Sequence, residues 1–217
     1  DLTRQYTYLS APFSSMIDTQ TGAVFGQVNQ ILGEHLSGFV GARLERRDRE
    51  YTDSASVKKQ FDHTYWTGRA GLTWRYRSER QIYLTLSRGA RAGGANASLL
   101  ASIDALPEQN QGPVSALGVF DEETLLSLEL GWQGTWPSQN LRSRLALFTM
   151  DRNDQQAKGS LVIPRSDGST AFIDYTDNAA ASRYTGFEWE AQWQPSPPLL
   201  MEMSFGVLNA HFDDYVS

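Results

Sequence analysis

The carboxylates of this chain that could do acid–base chemistry alternate with large apolar residues. Glu188 and Glu190 flank Trp189, and Glu129 and Glu202 have similar neighbours. Two carboxylates can act as a general acid and a general base when their environments separate their pKa values. Alternation instead places such residues on one face of a strand, where they would pair with arginines in a structural role. The arginines predicted on that face are Arg43, Arg69, Arg75, Arg142 and Arg144.

Other catalytic or metal-binding arrangements find little support in the sequence. The histidines His35, His63 and His211 are far apart and lack metal-ligand spacing, and the chain has no cysteine. No serine has a histidine and an acid arranged around it as a nucleophile would require. We therefore predict that the chain is not an enzyme and that it holds no metal ion or cofactor.

Three side chains are candidates for contact with an anionic ligand. Arg88, Arg91 and Asn96 lie where a predicted strand leads into the longest polar segment of the chain. Guanidinium groups bind carboxylates and phosphates through charge-assisted hydrogen bonds. The alternative is that these residues fix the adjoining loop or bind phosphate groups of lipopolysaccharide. Gly93 and Gly94 follow, but no Gly-Lys-Ser/Thr accompanies them, so a nucleotide-binding loop is not indicated.

The elements that must carry these residues are strands with one apolar face. Between Trp66 and Tyr76, Trp, Ala and Leu side chains occupy one face, and Thr and Arg occupy the other. An apolar face bounded by Trp and Tyr is typical of the lipid side of a membrane barrel. Arginine on that face costs about 2 to 4 kcal/mol at mid-membrane, which decides which face meets lipid. Aromatic residues near the short turns predict a periplasmic girdle of Trp74, Tyr76, Trp132, Trp136 and Trp193.

About nine strands are predicted, joined alternately by short turns and long polar segments. The predicted strands are 2–9, 23–32, 37–51, 63–76, 81–91, 124–136, 141–158, 173–193 and 199–215. The predicted long connections are 11–20, 52–62, 93–120 and 161–172. Outer-membrane barrels have short periplasmic turns and long extracellular loops, so the two kinds of connection belong to opposite rims.

The composition of the chain excludes further classes of protein. The 217 residues carry a formal net charge of -6 without a basic stripe, which argues against nucleic-acid binding. A mean hydropathy of -0.44 ordinarily indicates a soluble protein, but alternating strands average to such values. No run of about 18 apolar residues could form a membrane-spanning helix. The chain begins without a basic and apolar leader and both ends look cut, so we expect a longer natural protein.

Several segments resemble the barrel of TonB-dependent outer-membrane receptors. Tyr83–Asn96 is similar to the family segment Y-x-x-x-S-R-G-Y-K-A-G-G-F-N, and Phe120–Thr124 followed by Leu128–Gly131 is similar to F-x-P-E and Y-E-L-G. Asn178–Glu190 is similar to N-x-G…G-x-E-x-E. The resemblance covers about residues 21–217. Ala90 and Ala95 stand where the family usually has aromatic residues.

The resemblance implies an all-β fold, an antiparallel transmembrane β-barrel segment. Residues 1–217 would supply about nine strands of a barrel of about 22, without the plug domain. The implied function is active uptake of a bulky scarce nutrient, first of all a ferric siderophore, across the bacterial outer membrane. Implied partners are the TonB complex, acting through the plug, and outer-membrane lipid and lipopolysaccharide. The alternatives are a passive channel or structural barrel, and a soluble all-β ligand-binding domain.

Overall fold

An eight-stranded antiparallel sheet forms most of the protein in this computed structural model, which describes residues 14–54, 56–103, 108–164 and 168–215. Across the sheet the strands are β1 (Ser15–Ile31), β2 (Leu36–Asp53), β3 (Lys58–Arg77), β4 (Arg80–Arg91), β7 (Glu123–Trp136), β8 (Leu141–Pro164), β9 (Thr170–Ser196) and β10 (Leu199–Tyr215). Between β4 and β7 lie β5 (Gly94–Ala95), α1 (Ala97–Leu100), α2 (Glu108–Ala116) and β6 (Val119–Phe120). Chain order and spatial order therefore agree, as in an up-and-down barrel wall.

The register brings apolar residues of neighbouring strands together on one face. Leu128 of β7 pairs with Leu86 of β4, and Leu130 pairs with Leu84 on one side and Leu147 on the other. All five remain exposed. A slip by one residue would exchange the two faces of a strand, so this matching specifies the register. The predicted face assignment of these strands is confirmed.

The predicted aromatic girdle assembles at the end of the sheet where the short turns lie. Trp74 and Tyr76 have ring centroids 5.7 Å apart, as have Trp132 and Trp136. The Trp132 indole donates a hydrogen bond of 2.9 Å to the Tyr76 hydroxyl. Trp193 joins this end opposite Leu141. We name these five residues at the end with the short turns, Trp74, Tyr76, Trp132, Trp136 and Trp193, the lower girdle.

Towards the rim opposite the lower girdle, the apolar outer face ends at a row of residues formed by Leu44 and Trp66. Leu44 pairs with Trp66, and beyond them the outer face of β2 carries Arg46, which forms ion pairs with Asp48 at 3.0 Å and Asp62 at 3.5 Å. From Trp66 to the lower girdle β3 has about eleven residues, the length that a tilted strand needs to cross a bilayer. We therefore place the outer end of the membrane-spanning segments at the Leu44–Trp66 row.

Strands continue beyond this row, which corrects three predicted loops. β1 begins at Ser15 rather than at residue 23, β2 and β3 are joined by residues 54–57 rather than 52–62, and β8 and β9 extend to Pro164 and from Thr170. These stretches lack a regular alternation of apolar and polar residues and therefore look like loops in the sequence. The backbone ladder does not require an apolar face and continues through them. The predicted strand 2–9 lies outside the described residues.

No helix in the described residues is long and apolar enough to cross a membrane.

Candidate functional site at the inner wall and outer rim

Arg88 lies on the outer face of β4, not on the inner wall. Its register partners are Gly68 and the outward-facing Leu126. The guanidinium stacks 4.4 Å from the centre of the Trp66 ring, donates a hydrogen bond to the Trp66 carbonyl, and lies 3.6 Å from a carboxylate oxygen of Glu122. This position suits contact with the outer leaflet rather than with a ligand inside the barrel.

Asn96 is a structural link between two segments. Its side-chain amide donates hydrogen bonds of 2.7 Å to the carbonyls of Leu117 and Thr176, and its oxygen accepts one of 2.8 Å from the Thr176 amide. The residue is 8% exposed. Both amide N–H groups donate and the oxygen accepts: the two bonds with Thr176 join the β4–β7 connection to β9, and the bond to Leu117 lies within the connection. Arg91, by contrast, is exposed on the inner face of β4, opposite Glu123.

The β4–β7 connection is a folded unit, which we name the cap (residues 92–122, described without 104–107). Its apolar core joins Leu99 and Val114 of the cap to Ile163 and Ile173, which lie on the β8–β9 hairpin. Burial of these side chains stabilises the contact. The cap is therefore docked on the extended hairpin.

Two further amide side chains fasten the base of the cap. Gln156 of β8 donates hydrogen bonds of 3.0 Å to the carbonyls of Ala92 and Asp121. Asn178 of β9 donates to the carbonyls of Asp121 at 3.1 Å and Asp154 at 2.8 Å, and accepts from the Asp121 amide at 2.7 Å. Both ends of the cap are thus tied to the same hairpin.

A band of charged residues follows the inner wall next to the Leu44–Trp66 row. Glu45 of β2 is its buried centre, 6% exposed. It forms ion pairs with Arg43 at 2.6 Å and Arg47 at 2.8 Å, and it accepts a hydrogen bond from the Tyr65 hydroxyl. The hydrogen bonds from Tyr65 and the two arginines outweigh burial and lower the pKa of Glu45 to about 2. We name the band the rim belt: Arg43, Glu45, Arg47, Arg49, Arg91, Glu123 and Arg152.

The second carboxylate of the rim belt is also fully engaged. Glu123 of β7 accepts a hydrogen bond of 2.5 Å from Arg152 and one of 2.9 Å from the Gln156 amide. Burial alone would raise the pKa of Glu123, but these bonds and the Arg152 and Arg91 charges hold it below its ordinary value. The rim belt therefore has five guanidinium groups and two ionised carboxylates.

Only part of the rim belt is predictable from the sequence. Arg43 was predicted on the inner wall and Arg91 as a ligand contact, but Glu45, Arg47 and Arg49 were not singled out. Their signal is the stretch Arg43-Leu44-Glu45-Arg46-Arg47-Asp48-Arg49, in which alternate residues face the same side. Because the stretch looks uniformly charged, the two faces are separated only once the register is known.

Below the rim belt, within the membrane, the inner wall has fewer carboxylate–arginine pairs than the sequence predicts. Glu129 accepts a hydrogen bond of 2.6 Å from Tyr83, and Glu190 lies directly opposite Arg144 in the register. Arg69 binds Gln27 at 2.7 Å instead of a carboxylate. Glu202 accepts from Gln192 at 3.2 Å. The inner wall is thus polar and hydrogen-bonded.

Glycines on the inner wall lie under aromatic rings of the neighbouring strand. A Cβ atom at Gly131 would overlap the Tyr83 ring, and one at Gly186 would overlap the Phe148 ring. Pairing an aromatic ring with a cross-strand glycine fixes the register and fills the space left by the missing side chain. The wall is therefore closely packed as well as polar.

Among the described residues, no group of three or more His, Asp or Glu side chains could hold a metal ion. His63 lies 3.4 Å from Asp121, and His211 lies 3.1 Å from Asp213, each as a single pair.

This sheet, with an apolar outer face, a polar inner wall and a docked cap, matches a known family. Residues 2–216 match the family model described as TonB dependent receptor-like, beta-barrel. The chain belongs to this TonB-dependent receptor family. Members are outer-membrane barrels that act as transporters, not enzymes. The expectation of a receptor barrel segment is confirmed for this chain.

Solved receptor structures share the fold. The ferric yersiniabactin uptake receptor FyuA from Yersinia pestis superposes with a TM-score of 0.67 at 16% identity, covering 94% of this chain and 29% of that one. The copper transporter OprC gives a TM-score of 0.65 at 15% identity, covering 90% and 30%. The unliganded ferric citrate transporter FecA gives 0.62 at 15% identity, covering 98% and 29%. The chain spans less than a third of each.

Proposed function

We propose that the natural protein containing this chain is an outer-membrane receptor that imports a bulky scarce nutrient, a ferric siderophore, with energy from the TonB complex. The observation that carries the proposal is the two-faced wall: exposed leucines outside, and hydrogen-bonded charges inside. A wall of this kind separates lipid from a polar interior. Similar folds in receptors for ferric yersiniabactin and ferric citrate support an iron chelate as cargo.

The described residues supply the wall and part of the capture surface. Arg91 faces the interior at the rim and is the predicted contact that a ligand inside the barrel could reach. We propose that Asn96 holds the cap in place for binding and that Arg88 contacts anionic groups of lipopolysaccharide beside Trp66. Energy would enter through a plug domain of the natural protein.

Uptake of radioactive iron tests the proposal. Cells starved of iron and carrying or lacking the gene would be supplied with a panel of ferric siderophores, in backgrounds with and without TonB. We expect uptake of at least one chelate to require both the gene and TonB. Uptake that requires the gene but not TonB would favour a passive channel. Identical uptake of every chelate with and without the gene would contradict import of iron chelates.

Exchange of the cap tests where the ligand is recognised. The cap docks on the β8–β9 hairpin through Leu99, Ile163 and Ile173, so residues 92–122 and 156–178 should be exchanged together with those of a receptor of known cargo. We expect the hybrid to take up the donor's ligand. Uptake of the original ligand alone would remove this surface from ligand selection.

A further inference from the structure

The turn between β3 and β4 places two arginines side by side at the lower girdle. Arg77 of β3 lies opposite Arg80 of β4 in the register, whereas Trp74 lies opposite Ile82. Over this interval β3 has one residue more than β4, which is a β-bulge. Regular alternation from the outward-facing Trp74 would turn residue 77 towards the inner wall. The bulge instead brings Arg77 to the face of Arg80, because directly opposite residues of an antiparallel pair share a face.

Arg80 faces outward and is held against an aromatic ring. Its partner on β7 is Gly134, which lies between the lower-girdle residues Trp132 and Trp136. A Cβ atom at Gly134 would lie 2.9 Å from a ring atom of each tryptophan, so the glycine allows the two indoles to close over this position. The Arg80 guanidinium stacks 4.7 Å from the centre of the Trp136 ring. This cation–π contact orients the guanidinium and leaves its N–H groups available to an acceptor.

The two arginines form no ion pair with a carboxylate of the described residues, not even with Glu79 of the same turn. Arginines on the outer face near the other rim do have carboxylate partners: Arg46 at 3.0 Å, Arg88 at 3.6 Å and Arg183 at 2.6 Å. Like charges directly opposite each other on neighbouring strands destabilise a sheet. An anion from outside the chain would remove this cost at the lower girdle.

The depth of the arginine pair indicates where that anion comes from. The lower girdle lies at the end with the short turns, which is the periplasmic side of an outer-membrane barrel, and its aromatic rings lie at the level of the lipid headgroups. The Tyr76 hydroxyl accepts the Trp132 indole N–H at 2.9 Å and keeps its own proton for a second acceptor. Two guanidinium groups and a hydroxyl therefore meet at the depth of phospholipid phosphates.

We propose that Arg77, Arg80 and the Tyr76 hydroxyl bind the phosphodiester of an anionic phospholipid of the periplasmic leaflet, phosphatidylglycerol. Trp136 is a positioning residue, because its ring holds the Arg80 guanidinium. Two cations at one place favour a headgroup with a net negative charge over phosphatidylcholine, whose choline cation offsets the phosphate. The site lies on the outside of the wall, so it does not depend on the cargo or on TonB.

Equilibrium binding of radiolabelled phosphatidylglycerol to the detergent-solubilised natural protein tests the site. The unlabelled competitors are phosphatidylcholine with the same acyl chains, lipopolysaccharide and inorganic phosphate. The site variant is Arg77→Gln with Arg80→Gln. The control is Arg75→Gln with Arg142→Gln, which removes the same charge from the inner wall at the same end of the sheet. Circular dichroism and melting temperature would establish that each variant is folded.

An arginine at a membrane surface strengthens binding to anionic lipid about fivefold. We therefore expect the site variant to bind phosphatidylglycerol about 25-fold more weakly than the natural protein, and the control to change the affinity less than about twofold. Phosphatidylcholine and inorganic phosphate should compete poorly. Should the site variant misfold, Arg77→Gln alone must weaken phosphatidylglycerol binding about fivefold, because this exposed side chain adds only its charge to the site.

Four results would overturn the proposal. Equal affinity of the natural protein and the site variant for phosphatidylglycerol, including no measurable binding to either, is the first, and an equal loss in the control is the second. Displacement by inorganic phosphate would show that the anion is recognised without the lipid. Displacement by lipopolysaccharide at lower concentrations than by unlabelled phosphatidylglycerol would assign the arginine pair to the outer leaflet.

Discussion

Replacing Leu128 with arginine should strongly destabilise the barrel, because this side chain lies near the middle of the lipid-facing band. Leu128 is four residues from Trp132 of the lower girdle and four from Thr124, which is level with Trp66. At about 3.4 Å per residue and a tilt of about 40°, each boundary is about 10 Å away in depth. Arginine at the midplane costs about 2 to 4 kcal/mol. The folding equilibrium should therefore fall about 30- to 900-fold.

The assay is urea unfolding of the natural protein in phosphatidylcholine vesicles, with tryptophan fluorescence as the measure of the folded fraction. Two matched variants give the comparison. Ser127→Arg places the same group on the inner wall, and Thr124→Arg places it at the outer boundary, where the cost is about 0 to 1 kcal/mol. A loss for Ser127→Arg as large as that for Leu128→Arg would refute the face assignment, and a loss below 1 kcal/mol for Leu128→Arg would refute lipid exposure.

Three further predictions concern the wall, the rim and the cap. Gly131→Ala should destabilise the protein by about 1 to 3 kcal/mol in the same unfolding assay, because its Cβ overlaps the Tyr83 ring. Gly89→Ala, whose Cβ would lie 4.0 Å from the nearest atom, should be tolerated. Ionised Glu45 contributes stability that is present above about pH 4.5 and is lost as the pH falls towards 2. Between these pH values the melting temperature should therefore fall less in Glu45→Gln than in the natural protein. Identical pH profiles of the two proteins would contradict this. Asn96→Ala should increase the rate of proteolysis within the cap, whereas the exposed Ser98→Ala should not.

Alternation made most of the sheet predictable from the sequence. The membrane-spanning parts of the strands and the lower girdle were found because leucine and tryptophan recur at every second residue and mark one face. The pattern is lost where apolar and polar residues no longer alternate, so β1, β8 and β9 were predicted too short. The ends of these strands are defined by backbone pairing with the neighbouring strand, and this pairing cannot be read from a single sequence.

The candidate site was less predictable, since it depends on register and on the docking of a distant segment. Arg88 and Arg91 are three residues apart and so lie on opposite faces of β4, one beside Trp66 and one in the interior. Asn96 contacts Thr176, 80 residues away, which no local pattern indicates. The rim belt likewise requires β2, β4, β7 and β8 to be side by side.

Fractionation of cells that make the natural protein shows whether the apolar outer face meets lipid. We predict a protein far larger than 24.3 kDa that sediments with the outer membrane, resists extraction by high salt, and is released by detergent. A product that stays in the soluble fraction without detergent would rule out lipid contact, because the exposed leucines would then have to be covered by protein.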